Sequence, residues 1–418
     1  MKAPPTLPLE TDVLIVGAGP TGLALAISLQ QAGIRHLLID KLNEGLNTSR
    51  AAVIHVHTLE VLDQLGVGEA LAASGMRLSK FRLRDRDRVL LRIGFDKLPS
   101  RHPYLLMLPQ DQTERILGER LASLGGAVYR GVTATGVEQD EAGATVTLDG
   151  AMGSRKVRTR FVVGGDGMQS IVRQAAGIAF EGSTYEDSFV LADVRLDWPL
   201  GAEEVSLFLS AAGLVVVAPL PGDRYRIVAS MEDAPERPGI EHIQALLDAR
   251  GPRRSQARVR KVVWSSRFRI HHRLARSYRS GRLLLMGDAA HVHSPAGGQG
   301  MNAGLVDAVV LGRLLAAAIR SGEESVLDRY EEMRRPAAES VLRLAGRLTS
   351  LATVRGRIGQ MVRNTMLWLL DRVPAARRKL TMDLSGLSRR ALAYFLEEGQ
   401  DGEISGAPQL QAIRGGRA

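Results

Sequence analysis

MGDAAHVHSPAGGQGMN, residues 286–302, is the stretch of the chain that decides the fold. Apolar residues precede it and predict a short buried strand that stops at Gly287. An apolar pattern at helical spacing follows it, from about Met301 to Ile319. The connecting loop contains a proline and three glycines, Pro295, Gly297, Gly298 and Gly300. Strand, glycine-rich loop and helix in this order present backbone N–H groups and a positive helix end to an anion. Asp288, at the strand end, is available to bond a hydroxyl.

A second glycine-rich stretch lies near the N-terminus. An apolar strand at 12–16 leads into Gly17-Ala-Gly19-Pro20-Thr-Gly22, then a helix to Ala32 and a strand that ends at Asp40. The glycines permit a tight turn and close approach of a pyrophosphate, and the helix N-terminus faces the phosphates. An acid at position 40 would bond the ribose hydroxyls. The pattern predicts a dinucleotide-binding α/β fold and does not distinguish FAD from NAD.

The two stretches together resemble the FAD-dependent aromatic hydroxylases, the class A flavoprotein monooxygenases related to p-hydroxybenzoate hydroxylase and the polyketide-tailoring hydroxylases. Residues 287–302 are similar to the second flavin-binding motif of this family. Asp166-Gly167, within the run 161–173, is similar to its Asp-Gly motif. Three separated motifs in the family's order carry the resemblance.

The resemblance implies which residues surround a non-covalently bound FAD. Pro295 would line the flavin ring near the point of oxygen addition. The amides from Gly297 and Gly298 to Gly300, with the positive helix end at Met301, would stabilise the anionic reduced ring. Position 57 is His where the family commonly has Arg, and packing at a helix start is our interpretation of His55 and His57. Residues 111 and 113 are alternative helix caps beside Gln110. The implied FAD-binding residues are Gly17, Gly19, Pro20, Gly22, Asp40, Lys41, Arg50, Gln110, Asp166, Gly287, Asp288, Gly298, Gly300, Met301 and Asn302.

The predicted fold class is α/β, a Rossmann-like FAD-binding domain with an inserted antiparallel-sheet substrate domain. Residues 1–75, 100–182 and 271–342 form the FAD-binding domain, and residues 76–99 and 183–270 form the substrate domain. The resemblance implies that the inner face of the inserted sheet covers the flavin. A sheet without a function of its own is the alternative. A basic helical segment, 343–418, completes the chain.

Composition narrows the function further. The chain contains no cysteine, which excludes disulfides, iron–sulfur clusters and a redox-active cysteine pair. We expect a cytoplasmic protein because no signal peptide or run of about 18 apolar residues is apparent.

Eleven basic and two acidic residues lie between Arg343 and Arg390, so most of the net charge of +10 is local. We therefore expect no nucleic-acid partner. The basic segment either packs on the protein, which we favour, or lies on an anionic membrane.

The resemblance implies an FAD-dependent monooxygenase that uses NADPH or NADH and O2 to hydroxylate a phenolic, other aromatic or quinonoid substrate through a flavin C4a-hydroperoxide. The chain has one dinucleotide motif, so the nicotinamide donor would visit a transient site. An FAD-dependent dehydrogenase or reductase on the same scaffold is the alternative. Among hydroxylases, a polyketide-tailoring enzyme fits residues 279–282 better than a membrane-associated quinone-ring hydroxylase. Monomer and homodimer both stay open, and no side chain is nominated as the substrate's base.

Overall fold

The computed structural model describes residues 7–45, 51–151, 153–210, 212–231, 233–352, 354 and 356–393. Its helices are α1 (Pro20–Gln31), α2 (Val56–Asp63), α3 (Gly68–Ser74), α4 (Gln110–Ser123), α5 (Ile171–Ala175), α6 (Ile240–Arg250), α7 (Gly300–Ser321), α8 (Asp328–Ala352), α9 (Arg357–Arg372) and α10 (Pro374–Leu384). Its strands up to residue 164 are β1 (Glu10–Val16), β2 (His36–Asp40), β3 (Val53–Ile54), β4 (Met76–Leu78), β5 (Lys80–Asp85), β6 (Arg88–Gly94), β7 (Leu105–Met107), β8 (Val128–Arg130), β9 (Thr133–Asp140), β10 (Gly143–Gly150) and β11 (Gly153–Gly164). The later strands are β12 (Phe180–Asp197), β13 (Glu204–Ser210), β14 (Gly213–Leu220), β15 (Arg224–Ser230), β16 (Arg258–Ala275), β17 (Arg279–Ser280), β18 (Leu283–Leu285) and β19 (His291–Val292).

The first sheet is built around parallel strands in the order β8-β2-β1-β11-β18, with β17 antiparallel at the edge. Strands β9 and β10 extend it from β11 as an antiparallel meander. The central strand β1 is a continuous apolar run because it is buried on both faces, and Val13, Leu14 and Ile15 are fully buried. Helices α1, α4 and α7 share one apolar core with this sheet. The predicted Rossmann-like α/β class is confirmed.

The second sheet has the order β19-β16-β12-β15-β14-β13-β5-β6 and is antiparallel except where β13 meets β5. Strands β5 and β6 come from residues 80–94, within the predicted first part of the substrate domain. Strand β12 begins at Phe180 and β16 continues to Ala275, so both run across the boundaries predicted at 183 and 270. We keep those domain boundaries as a proposal.

Alternation along the strands gives the second sheet two apolar faces. Val190 and Ala192 of β12 belong to the cluster that includes α6, whereas Phe189 belongs to the cluster on the other face. That other cluster also contains Leu367 of α9 and Leu384 of α10. The C-terminal helices therefore pack on the same side of the sheet as the cavity described below. Residues 394–418 of the predicted basic segment lie outside the described residues.

Helices α1 and α7 pack against each other through residues without large side chains. A Cβ on Gly304 would stand 2.6 Å from the hydroxyl oxygen of Thr21, and a Cβ on Gly312 would stand 2.3 Å from that of Ser28. Helix α7 is long and apolar enough to cross a membrane, and it is the one such helix among the described residues. Of its apolar window, 83% is buried inside the protein, as in the core helix of a globular fold.

We expect Gly312→Ala to destabilise the protein by roughly 1–3 kcal/mol, because the added methyl group overpacks the contact with Ser28. The matched control is Gly118→Ala on α4, where a Cβ meets no atom within 4 Å. That control is expected to stabilise the helix by about 0.4–1 kcal/mol. Urea unfolding followed by circular dichroism measures both changes. Equal stability of the two variants would show that the two helices are not in close contact.

Candidate active site

A cavity of about 720 Å³ is lined by residues from both sheets and from the C-terminal helices. Three groups of residues line it. The first glycine loop and its surroundings contribute Gly17, Gly19, Pro20, Thr21, Asp40, Lys41, Gln110 and Asp166. The second loop contributes Asp288, residues 292–298, Gly300 and Met301. The second sheet and the C-terminal helices contribute mostly apolar side chains, among them Phe81, Leu83, Phe189, Val216, Val228 and Leu384.

The first glycine loop has no space for side chains at two positions. Gly17 has a φ of +100°, and a Cβ there would stand 2.4 Å from the carbonyl oxygen of Gly165. A Cβ on Gly22 would stand 1.9 Å from the carbonyl oxygen of Gly17. At Gly19, in contrast, a Cβ meets no atom within 4 Å. Gly19 is the N-cap of α1 and provides no side-chain cap, so the first N–H groups of the helix stay available to an anion.

Asp40 closes this loop from the end of β2. Its Oδ2 accepts a hydrogen bond from the amide of Ala18 at 2.7 Å, and its Oδ1 accepts one from the amide of Leu42 at 2.8 Å. Each carboxylate oxygen can accept a second hydrogen bond. Asp40 therefore fixes the loop and still presents acceptor capacity to the cavity that it lines.

Asp166 presents an acceptor without a partner. Its Oδ2 accepts a hydrogen bond from the amide of Ile171 at 2.8 Å, whereas its Oδ1 is buried and has no hydrogen-bond partner. Burial raises the pKa of this carboxyl group above its usual value, against the lowering effect of the Ser170 side chain and of backbone amides that include Ile171 and Val172. A buried acceptor on a cavity wall is costly unless a ligand donates to it. A hydroxyl of a bound ligand would satisfy it.

The second glycine loop is held close to the chain that precedes α2. Gly297 and Gly298 have φ angles of +86° and +62°, and a Cβ on Gly298 would stand 2.2 Å from a methyl carbon of Val53. Helix α7 begins at Gly300, and its N-cap Gln299 provides no side-chain cap. The loop therefore offers backbone amides and a helix N-terminus to the cavity, and these groups stabilise negative charge.

Three side chains fix the shape of this loop from behind. Asn302 donates from Nδ2 to the carbonyl oxygens of Val53 and Gly298, at 2.9 and 2.7 Å, and accepts from the amide of His55 at 2.8 Å. The Nε2 of His55 donates to the carbonyl oxygen of Gly297 at 2.8 Å. Gln299 donates to the carbonyl oxygen of Leu384 at 3.0 Å and accepts from Arg389 at 2.8 Å. The end of the described chain thus supports the loop directly.

Two histidines of the site are neutral near pH 7. Burial lowers the pKa of His55 to about 4, although hydrogen bonding to the carbonyl oxygen of Gly297 opposes the change. Burial likewise lowers the pKa of His293 to about 4, against the hydrogen bond of its Nδ1 to the carbonyl oxygen of Ser294 at 2.8 Å. In both rings the other nitrogen is buried without a hydrogen-bond partner. Neutral imidazoles keep the surroundings of the loop free of an added positive charge.

A fully buried carboxylate, Asp307 of α7, joins the second loop to α8. Its Oδ2 accepts from Nε2 of His291 at 2.6 Å and from the amide of Gly287 at 3.2 Å. Its Oδ1 accepts from Nε of Arg334 at 2.7 Å. Burial by itself would raise the pKa of Asp307, but the charges and hydrogen bonds of His291 and Arg334 lower it. The carboxylate is therefore ionised, and both of its oxygens are hydrogen-bonded.

The structure separates the predicted site residues into two groups. Those that line the cavity are Gly17, Gly19, Pro20, Asp40, Lys41, Gln110, Asp166, Asp288, Pro295, Gly297, Gly298, Gly300 and Met301. Gly22, Gly287 and Asn302 are not on the wall and act in packing or in holding the loops. Arg50 lies outside the described residues. The roles of the wall residues toward a cofactor stay a prediction.

Several wall residues were not predicted from the sequence. Arg226 lines the cavity and forms a buried ion pair with Asp193, with N–O distances of 2.7 and 2.8 Å. Leu348, Thr349 and Leu384 come from the basic helical segment, 343–418, for which no site residue was predicted. Strand alternation could have placed Arg226 on the inner face, because it is two residues from the apolar Val228. No local pattern indicates the other three.

The residues present fit FAD. The amides at the start of α1, with Gly19 open beside them, suit a pyrophosphate, and Asp40 and the unpartnered oxygen of Asp166 suit hydroxyl groups. The amides of the second loop and the start of α7 suit the part of a flavin that becomes anionic on reduction. These three groups of donors and acceptors line one continuous cavity.

Comparison with known proteins agrees with this fit. Residues 10–345 match the family model described as FAD binding domain. A 12-dehydrotetracycline 5-monooxygenase/anhydrotetracycline 6-monooxygenase of Streptomyces rimosus is 38% identical over 80% of this chain and 68% of its own length. An uncharacterized aromatic compound monooxygenase of Bacillus subtilis is 36% identical over 91% of this chain and 76% of its own length.

Solved structures agree as well. The anhydrotetracycline hydroxylase OxyS of Streptomyces rimosus has a TM-score of 0.77 at 37% identity, covering 90% of this chain and 76% of its own. A p-nitrophenol 4-monooxygenase of Pseudomonas putida shares the fold, with a TM-score of 0.83 at 24% identity over 91% and 98% of the two chains. This chain therefore belongs to the family of FAD-dependent aromatic hydroxylases. Within that family it is similar to the tetracycline-pathway monooxygenases named above, and the resemblance predicted from the three motifs is confirmed.

We expect Asp288→Ala to weaken FAD binding by roughly 1–3 kcal/mol, the cost of losing hydrogen bonds to a charged acceptor. Asp288 lines the cavity, whereas Asp149, near the end of β10, is an exposed acid outside it. Asp149→Ala is therefore the matched control. Titration of the apoproteins with FAD, followed by flavin fluorescence, gives both dissociation constants. An unchanged constant for Asp288→Ala would remove this residue from the site.

The free energy of unfolding is expected to fall as the pH falls from about 6.5 to about 4, because unfolding lets His55 and His293 take up protons. The folded protein binds fewer protons than the unfolded chain in this range, so acid favours unfolding. Each histidine accounts for at most roughly 3 kcal/mol. Urea unfolding at several pH values should show a shallower decline for His55→Gln and His293→Gln. The matched control variant is His242→Gln, at an exposed position on α6.

Proposed function

We propose that this chain inserts one oxygen atom of O2 into the ring of an apolar, fused-ring phenol, with NADH or NADPH as the electron donor. The observation that carries the proposal is the inner face of the second sheet. It presents apolar side chains to the same cavity that the two glycine loops line. An aromatic substrate that packs on this face would lie beside the flavin-binding loop.

The apolar face contains one polar feature, the buried pair of Arg226 and Asp193. The guanidinium group lines the cavity beside Val228, and the ion pair is 4–6% exposed. A phenolate or carbonyl oxygen would be attracted to this guanidinium group because charge-assisted hydrogen bonds are strong in a desolvated site. The relatives that are named for tetracycline intermediates support a substrate of this kind.

The chain's own residues provide position, charge stabilisation and exclusion of water. When bound, FAD supplies the electron transfer from NAD(P)H and the activation of O2. The amide of Gly297 and the start of α7 would stabilise the negative charge of the reduced cofactor, whereas the amide of Gly298 already donates to the carbonyl oxygen of Pro295 at 2.9 Å. Phe189, Val216 and Leu384 would exclude water from the reacting atoms. Because His55 and His293 are neutral, they add no positive charge to this stabilisation, which comes from the backbone.

Several finer features stay predictions. They are the choice between NADH and NADPH, the cytoplasmic location, the lack of a nucleic-acid partner, and the choice between monomer and homodimer. A quinonoid instead of a phenolic ring is compatible with the same wall, because both are planar and carry an oxygen that Arg226 could contact.

Turnover under ¹⁸O2 tests the proposal. We expect a panel of fused-ring phenols to contain a compound that accelerates NAD(P)H oxidation by the purified FAD-containing protein. Its product should be heavier by one labelled oxygen atom in mass spectrometry, because one atom of O2 enters the ring. The controls are free FAD with the same compounds and the same reaction in H2¹⁸O with unlabelled O2, and neither should give a labelled product.

The alternative function, an FAD-dependent dehydrogenase or reductase, predicts a different result. It would convert a true substrate without O2 at an undiminished rate and would yield a product that contains no oxygen from O2. Either observation with a compound that binds the protein would overturn the proposed hydroxylation.

A further inference from the structure

Helix α9 has apolar side chains on two faces, and the described protein covers one of them. Leu367 is buried on the covered face, which packs on β6. The opposite face is exposed, with side chains at the helical spacing of i, i+3, i+4, i+8, i+11 and i+15. Its exposed fractions range from 45% at Met366 to 77% at Ile358. We call this face the apolar stripe, and it consists of Ile358, Met361, Val362, Met366 and Leu369 of α9 together with Val373, which directly follows the helix.

The orientation of α9 is fixed by polar contacts on its covered side. The buried Arg363 donates to the carbonyl oxygen of Leu209 at 3.0 Å, and Asp371 pairs with Arg92 at 2.7 Å. Rotating the helix to bury the stripe would break these contacts and leave the carbonyl oxygen of the buried Leu209 without this donor. The outward direction of the stripe is therefore built into the fold. Packing on the protein, favoured in the sequence analysis, accounts for only half of the helix.

The exposed face is positively charged at its rim. Arg357 and Arg372 of α9 and Arg378 and Lys379 of α10 are exposed. The guanidinium group of Arg372 lies 3.3 Å from the ring centre of Trp368, which places an aromatic ring at the rim beneath a cation. Asp371, the acid of α9, has a side chain only 10% exposed. A negatively charged partner that covers the apolar stripe would meet exposed basic side chains at both ends of α9 and on α10.

We propose that the apolar stripe of α9 is a docking surface for the surface of an anionic lipid bilayer. A helix with an apolar face, flanking Arg and Lys and an interfacial Trp lies in the headgroup region and is drawn there by anionic lipid. A second copy of the chain fits less well. Across a two-fold contact each stripe would face itself and bring the arginines of two copies together in a desolvated interface.

The place of α9 in the fold gives this docking a consequence for the cavity. Leu348 of α8 and Leu380 and Leu384 of α10 line the cavity, and they share one apolar cluster with Leu367 of α9. Docking through the stripe would place this wall of the cavity next to the lipid. The docking itself does not depend on the proposed reaction, because it rests on α9 and α10 alone.

Co-sedimentation of the full FAD-containing chain with vesicles tests the proposal. We expect binding to vesicles of phosphatidylcholine with phosphatidylglycerol. Binding to vesicles of phosphatidylcholine alone should be weaker by a factor of roughly ten or more. Ile358→Ser/Leu369→Ser should reduce binding to the anionic vesicles at least roughly tenfold, because two apolar groups no longer insert. Arg378→Gln/Lys379→Gln should reduce it by a similar factor and flatten its dependence on salt. The matched control is Ile240→Ser/Val263→Ser, which removes exposed apolar groups elsewhere and should leave binding unchanged.

Two results would overturn the proposal. One is a parent chain that does not sediment with anionic vesicles at about 0.05 M salt, where surface attraction is weakly screened. The other is a parent chain that forms a dimer in light scattering during gel filtration, where the Ile358→Ser/Leu369→Ser variant is a monomer. That result would assign the stripe to a contact with a second copy of the chain. Flavin absorbance shows that each variant is folded and loaded, so loss of binding is separated from loss of structure.

Discussion

The carboxylate of Asp307 is fully buried and accepts hydrogen bonds from two separate stretches of the chain, residues 287–291 and α8. Removing such a charge from water is costly unless its partners are all in place. The backbone of Gly287, the ring of His291 and the guanidinium group of Arg334 meet that requirement together. The end of β18, the second loop, α7 and α8 are thereby held in one arrangement. Arg334 extends the constraint to the carbonyl oxygen of Leu392.

Strand pairing and helix packing bring two glycine loops that are far apart in sequence to one cavity. Strands β1 and β18 both pair with β11 in parallel, so the loops that follow them emerge at the same edge of the first sheet. Close packing of α1 on α7 at Gly304 and Gly312 then sets the distance between the loops. Strand β19, which lies in the second loop, pairs with β16 and ties the loop to the second sheet. The two glycine loops and the apolar inner face of the second sheet are therefore joined by backbone hydrogen bonds and close helix packing.

Local sequence predicts those parts of the site that depend on local geometry. Strand β2 ends at the predicted residue, Asp40, and α7 differs from the prediction by one or two residues at each end, because apolar period and glycine position determine both. Motif membership does not determine where a residue faces, so Gly22, Gly287 and Asn302 were grouped with residues that line the cavity. Arg226 and Leu384 depend on pairing and packing across the chain, which no short pattern records. In α9 the periodicity shows an apolar helix but not which face is covered.

The support of the second loop by the end of the described chain bears on the order of events during synthesis. Gln299 receives a hydrogen bond from Arg389, 90 residues later, and donates one to the carbonyl oxygen of Leu384, 85 residues later. While the ribosome is still making those residues, the loop has its glycines but lacks two of the contacts that hold Gln299. Part of the cavity wall, formed by Leu380 and Leu384, is likewise in place only after α10 has been translated and has folded back. A protein shortened before Leu384 would lack both of these contacts to Gln299.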